Sequence, residues 1–153
     1  MSAEAFPDWM RIPQGEWTAD DLDQFARDGW LMHLEMAIRI DRETQLVPDR
    51  LVATSAAGIV PEREWFWPIE VALAVEIESP DSMRRDRVVK HDRYARAGIP
   101  NYWRIEDDGG VPTVHVHELD TGQGSYVETA VERRRLTLKR PFPMKIDVDE
   151  LYY

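Results

Sequence analysis

The chain has 153 residues, a formal net charge of −10 and no cysteine, which sets one domain as the expectation and excludes a disulfide framework or a thiolate zinc site. The longest apolar run, Val71 to Val75, falls far short of the ~20 residues a membrane helix needs, so no membrane partner is expected. The acid excess argues against tight unaided binding to nucleic acid, and an N-terminus reading Met1-Ser2-Ala3-Glu4-Ala5 lacks the basic and apolar regions of a secretory signal, which makes the cytoplasm the expected compartment.

Residues 1–17 read as an irregular lead, with Pro7, Pro13 and Gly15. Thr18 has the chemistry of a helix N-cap, and Asp20 and Asp21 fall in the first turn, where the helix dipole favours acids. Leu22, Phe25 and Ala26 keep helical spacing until Gly29. From Leu31 the period switches to two: Met32, Leu34, Met36, Ile38 and Ile40 alternate with His33, Glu35 and Arg39, which predicts a strand with one buried face. Asp41 to Thr44 turns the chain, and Leu46 to Thr54 returns as a second strand in a hairpin with the first. A loop over residues 55–68 carries Gly58, Pro61, Pro68 and the packing cluster Trp65-Phe66-Trp67.

Residues 69–78 form a third strand, with Val71, Leu73, Val75 and Ile77 on one face. Glu70, Ala72, Ala74, Glu76 and Glu78 take the other, where small alanines let a helix approach closely. Ser79 to Ser82 break this strand, and a helix follows over 83–97, closed by Gly98. Arg84, Arg85, Arg87, Lys90, Arg93 and Arg96 make it a local basic stripe able to serve phosphates. Ile99 to Glu106 is a fourth strand; Thr113–Leu119 and Ser125–Val131 form a hairpin around Asp120 to Gly124. Arg135–Lys139 and the Pro141–Pro143 segment finish the sheet, and Asp147–Leu151 is expected as a short helical turn. The strand–helix–strand unit in the middle calls for a right-handed crossover, and the whole order predicts an α/β fold with a mixed central sheet flanked by helices.

Chemistry concentrates in three places. Asp49 follows Pro48 at the start of a strand, Glu76 and Glu78 end the most buried strand, and Lys90 lies in the following helix. Strand geometry puts Glu76 and Glu78 on one face, about 7 Å apart. An acid from a neighbouring strand would complete a hard, all-oxygen site suited to Mg²⁺, and a lysine from the helix would orient water or hold a phosphate oxygen. Plainer readings stand beside these: Asp49 as a turn residue, Glu76 in a salt bridge to Lys90 or a helix arginine, Glu78 at an exposed strand end, and Lys90 as a solvated surface lysine. His115 and His117 share a strand face without a third zinc ligand and read as an exposed hairpin face, with His91 as a surface residue.

The run Val75-Glu76-Ile77-Glu78-Ser79-Pro80, then Asp86 to Lys90, Tyr94-Ala95, and Ala97-Gly98-Ile99-Pro100-Asn101-Tyr102-Trp103-Arg104-Ile105, closely resembles the Uma2 family of the PD-(D/E)xK nuclease superfamily. The likeness extends from about Ile38 to the end and rests on several fixed spacings agreeing at once. It implies a restriction-endonuclease-like fold and a Mg²⁺- or Mn²⁺-dependent endonuclease acting on DNA phosphodiester bonds, with a homodimer as a common state for such enzymes. Asp49 falls on the motif aspartate, Glu76 on the motif glutamate and Lys90 on a lysine moved to the helix; Tyr94, one turn on, belongs to the same signature. Glu78 stands where the wider superfamily has lysine, as a further metal ligand or a source of repulsion against Glu76. The N-terminal part is expected to be shortened against the family pattern, without its early glutamate and long helix, for which Glu35 is a weak substitute. That shortening and the net charge leave a second expectation: a degenerate nuclease fold that binds nucleic acid or a protein partner without cutting.

Overall fold

The structure is a computed structural model and describes residues 30–54, 63–78, 83–108, 111–141 and 144–148. The expected N-terminal lead and helix, most of the 55–68 loop, the Ser79–Ser82 break and the terminal turn lie outside the described residues. Among the described residues eleven strands and one α-helix follow in order: β1 Trp30–Leu34, β2 Ala37–Arg39, β3 Gln45–Leu46, β4 Arg50–Thr54, β5 Trp65–Phe66, β6 Val71–Glu78, α1 Met83–Arg96, β7 Asn101–Asp108, β8 Val111–Asp120, β9 Ser125–Glu132, β10 Arg135–Leu138 and β11 Met144–Asp147, with a 3-10 turn at Pro68–Glu70 leading into β6.

Six strands form the central sheet in the order β1-β4-β6-β7-β8-β9. Only β6 and β7 run parallel, and α1 is their connection; every other neighbouring pair is antiparallel. β6 lies in the interior of this sheet, so seven of its eight residues are buried. Its alternation feeds two cores. Leu73 and Val75 meet Val52, Trp103, Ile105, Val114 and Val116 on one face, covered by Leu136 and Val148 from the β10–β11 region. On the other face Ala74 joins Leu51, Tyr102 and Tyr126 beneath Tyr94 and Ala95 of α1. The alanine side admits the helix, as its small volume suggests.

The sequence pattern misplaces one residue of β6. Val71 belongs to the helix-side core rather than to the Leu73 face. Val52 pairs with Leu73 and Ala53 with Val71, so Ala72 is the extra residue of a bulge that reverses the faces beyond it. The expected long hairpin is also broken. Glu35 takes φ 48, in the left-handed region, and divides the first strand into β1 and β2. The return strand splits likewise into β3 and β4 on either side of Val47 to Asp49. β1 and β4 stay in the central sheet, while β2 pairs with β3 and, in parallel, with β5, which the sequence reading had within a loop.

α1 ends where expected. Gly98 adopts φ 83, its N–H donates to the Ala95 carbonyl at 3.0 Å, and Ile99 N–H donates to the Tyr94 carbonyl at 3.2 Å. This paired closure satisfies the last carbonyls of the helix and turns the chain into β7. It also fixes the rotation of the last two turns, which carry Lys90 and Tyr94 towards the sheet.

Candidate functional site

Asp49 sits in the short break between β3 and β4. Its carbonyl accepts the Glu35 N–H at 3.1 Å, so the left-handed kink at Glu35 and the position of Asp49 are tied together. Its carboxylate Oδ2 accepts the N–H of Ile77 in β6 at 2.6 Å. A charged acceptor on a backbone donor is a strong, directional anchor. It fastens Asp49 beside the end of β6, next to Glu76.

Glu76 projects from β6 towards α1, with its side chain only 5% exposed. Lys90 and Tyr94 stand four residues apart and so share a helix face. Lys90 Nζ lies 3.2 Å from Glu76 Oε2, and the Tyr94 hydroxyl donates to Oε1 at 2.6 Å. Burial pushes the Glu76 carboxyl up to about 7; the Tyr94 hydrogen bond and the Lys90 charge oppose this, while the charge of Asp49 adds to it. Two acids and one lysine thus act on one another from three separate elements. Burial, reinforced by Glu76, pushes the Tyr94 phenol far above its ordinary range, so it is a permanent donor here.

The structure therefore brings Asp49, Glu76, Lys90 and Tyr94 together, and Glu76 carries the salt bridge to Lys90 that was its plainer reading. Glu78 shares the face of Glu76 but is engaged elsewhere. It is buried rather than at an exposed strand end, because β6 is covered along its whole length, and it accepts from Arg104 Nη1 of β7 at 3.3 Å. Glu35 is exposed, and its described role is the backbone kink. Among the described residues, no group of three His, Asp or Glu side chains is gathered closely enough to hold a metal ion.

The histidines differ from the sequence reading. β8 is not one arm of a free hairpin but an interior strand between β7 and β9 under α1. His117 is 8% exposed, and its ring lies 5.5 Å from His91 and from Tyr102, measured between centroids. Burial, with the neighbouring His91 and Arg104, lowers it to about 4. His115 is held between Glu128 at 2.6 Å and Glu106 at 3.3 Å. Glu106 also accepts from Arg104, so Glu78, Arg104, Glu106, His115 and Glu128 form a continuous polar row across β6 to β9. The sequence reading missed this row. The alternation that places Tyr102 on the helix side also places Arg104 and Glu106 there, and a buried Glu78 calls for a cation.

Comparison with known proteins fits this geometry. A solved structure titled "Crystal structure of a putative nuclease belonging to DUF820", from Anabaena variabilis ATCC 29413, aligns over 86% of this chain and 73% of its own. The TM-score is 0.60 at 18% sequence identity, which marks a shared fold. No curated protein matches the chain. The family model of Uma2, described as "Putative restriction endonuclease", matches residues 5–149, nearly the entire length, and the chain belongs to the Uma2 family.

Proposed function

We propose that this chain is a magnesium-dependent endonuclease that hydrolyses DNA phosphodiester bonds at the Asp49–Glu76–Lys90 site. The observation that carries this reading is the meeting of Glu76 of β6 with Lys90 of α1, beside Asp49 of the β3–β4 break, whose carboxylate is anchored on the next residue of β6. The donor chemistry fits a hard divalent cation: carboxylate oxygens of Asp49 and Glu76, with Glu76 buried and costly to ionise without a nearby positive charge. Bound there, Mg²⁺ or Mn²⁺ supplies positive charge to the scissile phosphate and acidifies water.

The residues of the chain divide the remaining work. Ile77 N–H holds Asp49 in place, and Tyr94 fixes the rotamer of Glu76 from above. Lys90 takes Glu76 as its counter-ion. With Glu76 engaged by a cation, the Lys90 ammonium would be available to hold a phosphate oxygen or to orient the attacking water. At 26% exposure its head group is already within reach of solvent. The basic residues of α1 offset locally the net charge of −10.

The test is incubation with DNA and Mg²⁺ or Mn²⁺ beside Glu76→Ala and Lys90→Ala. Cleavage by the parent chain, lost in both variants, is expected; equal cleavage in all three ends the assignment. A second reading, a nuclease fold that binds without cutting, draws on the Lys90–Glu76 ion pair and on the lack of a three-acid cluster among the described residues. It requires DNA or protein binding with no cleavage under either metal.

A further inference from the structure

Glu78 and Glu106 are register partners on the adjacent parallel strands β6 and β7, and Glu76 is the partner of Arg104. All four side chains lie on the helix side of the sheet. Two carboxylates facing each other across neighbouring strands repel, the more so when buried, and the Glu78 side chain is 1% exposed. Arg104 resolves this. Its Nη1 donates to both acids, and its own side chain is only 10% exposed.

The same contact has an effect on the site. Glu78 is two residues from Glu76 on one strand face, about 7 Å away, close enough to share a cation with it. Yet Glu78 is turned to Arg104, and Asp49, Glu76 and Glu78, all among the described residues, are not gathered closely enough to hold a metal ion together. We infer that Arg104 is a positioning residue that holds Glu78 out of the cation site by taking it as a counter-ion, so that Asp49 and Glu76 alone supply the site's carboxylates. This rests on the metal-site reading above. It explains how an acid is tolerated at Glu78, and it makes Arg104 a determinant of divalent-cation affinity.

The experiment must separate release of Glu78 from the mere loss of a positive charge. Arg104→Gln with Glu106→Gln removes one charge of each sign and also relieves the repulsion that would threaten folding. Calorimetric titration with Mg²⁺ alone should show this double variant binding about tenfold tighter than the parent, because a third carboxylate joins the set. Adding Glu78→Gln should return the affinity to that of the parent. An unchanged affinity in the double variant, or a gain that survives Glu78→Gln, overturns the inference. Glu76→Gln, titrated in parallel, tests the site itself: Mg²⁺ binding unaffected by that change sinks the underlying reading instead. Thermal melts of each variant confirm a folded chain.

Discussion

The hydroxyl of Tyr94 and Oε1 of Glu76 are 2.6 Å apart, a hydrogen bond that crosses the packing layer between α1 and β6. Tyr94 is fully buried, and its ring packs near that of Tyr102, 5.6 Å between centroids. The residue therefore serves the core through its ring and the site through its oxygen. Tyr94→Phe keeps the first role and deletes the second. It should cost about 1–2 kcal/mol of stability. It should also weaken Mg²⁺ binding at neutral pH, because the ionised form of Glu76 loses a donor. Melts and calorimetry on the same preparation check both; unchanged affinity would confine Tyr94 to packing.

The elevated Glu76 carboxyl has a stability consequence of definite sign. It titrates at about 7 in the folded chain, against an ordinary value of 4.5. Below 4.5 both folded and unfolded states hold the proton. As pH rises from there, the unfolded chain releases it first, so the folded state loses relative stability until about 7, above which the loss is complete. A shift of this size corresponds to roughly 3 kcal/mol. Without divalent cations, the stability of the parent relative to Glu76→Gln should therefore decline by that order between about pH 4.5 and 7. Saturating Mg²⁺ should restore it at the upper end. A constant difference across the window would refute the buried-carboxylate account.

Much of this arrangement was legible from residues alone, and the exceptions have physical causes. β6, α1 and β7 were readable because an alternating strand, an N-terminal breaker and a closing glycine agree with one another. Asp49, Glu76 and Lys90 were singled out together through the resemblance to the Uma2 family, and no local signal could state that Ile77 N–H anchors Asp49. The division of the first hairpin's strands between two sheets was not legible. It depends on Glu35 adopting φ 48, an uncommon state for a residue other than glycine. The Ala72 bulge inverted one face because alternation carries no mark of an inserted residue. The burial of His117 and the Arg104 row arise from long-range strand order, which local periodicity does not encode.

Lys90 should show opposite effects on binding and on turnover. Its ammonium lies 3.2 Å from Glu76 Oε2 and would compete with a cation for that carboxylate. Lys90→Met removes that competition, so Mg²⁺ affinity at neutral pH should rise severalfold. If the ammonium also serves phosphate or water during hydrolysis, the cleavage rate should fall by about a hundredfold or more at saturating Mg²⁺. Single-turnover cleavage beside calorimetry separates the two. Tighter metal binding with an undiminished rate would make Lys90 a counter-ion without a part in the chemistry.

His117 should pull the pH dependence in the opposite direction from Glu76. Burial is the main reason its imidazole is lowered to about 4, with the charges of His91 and Arg104 acting in the same sense and Glu128 against them. The folded chain thus refuses a proton that the unfolded chain accepts below about 6.5. The stability contributed is complete above that value and is lost as pH falls through 4, a difference on the order of 3 kcal/mol. His33 behaves alike, lowered to about 4 by burial and by Arg63. Between roughly pH 4.5 and 6.5 Glu76 offsets only one of the two histidines, so these three groups together should make the parent protein more stable as pH rises there. His117→Phe keeps an aromatic ring among Tyr102, Tyr126 and His91 while removing the titration. Relative to the parent it should gain stability on acidification from about pH 7.5 to 5, while Glu76→Gln should lose it. Denaturant titrations at both pH values decide the matter, and variants that tilt the same way would show that one of the two burial assignments is wrong.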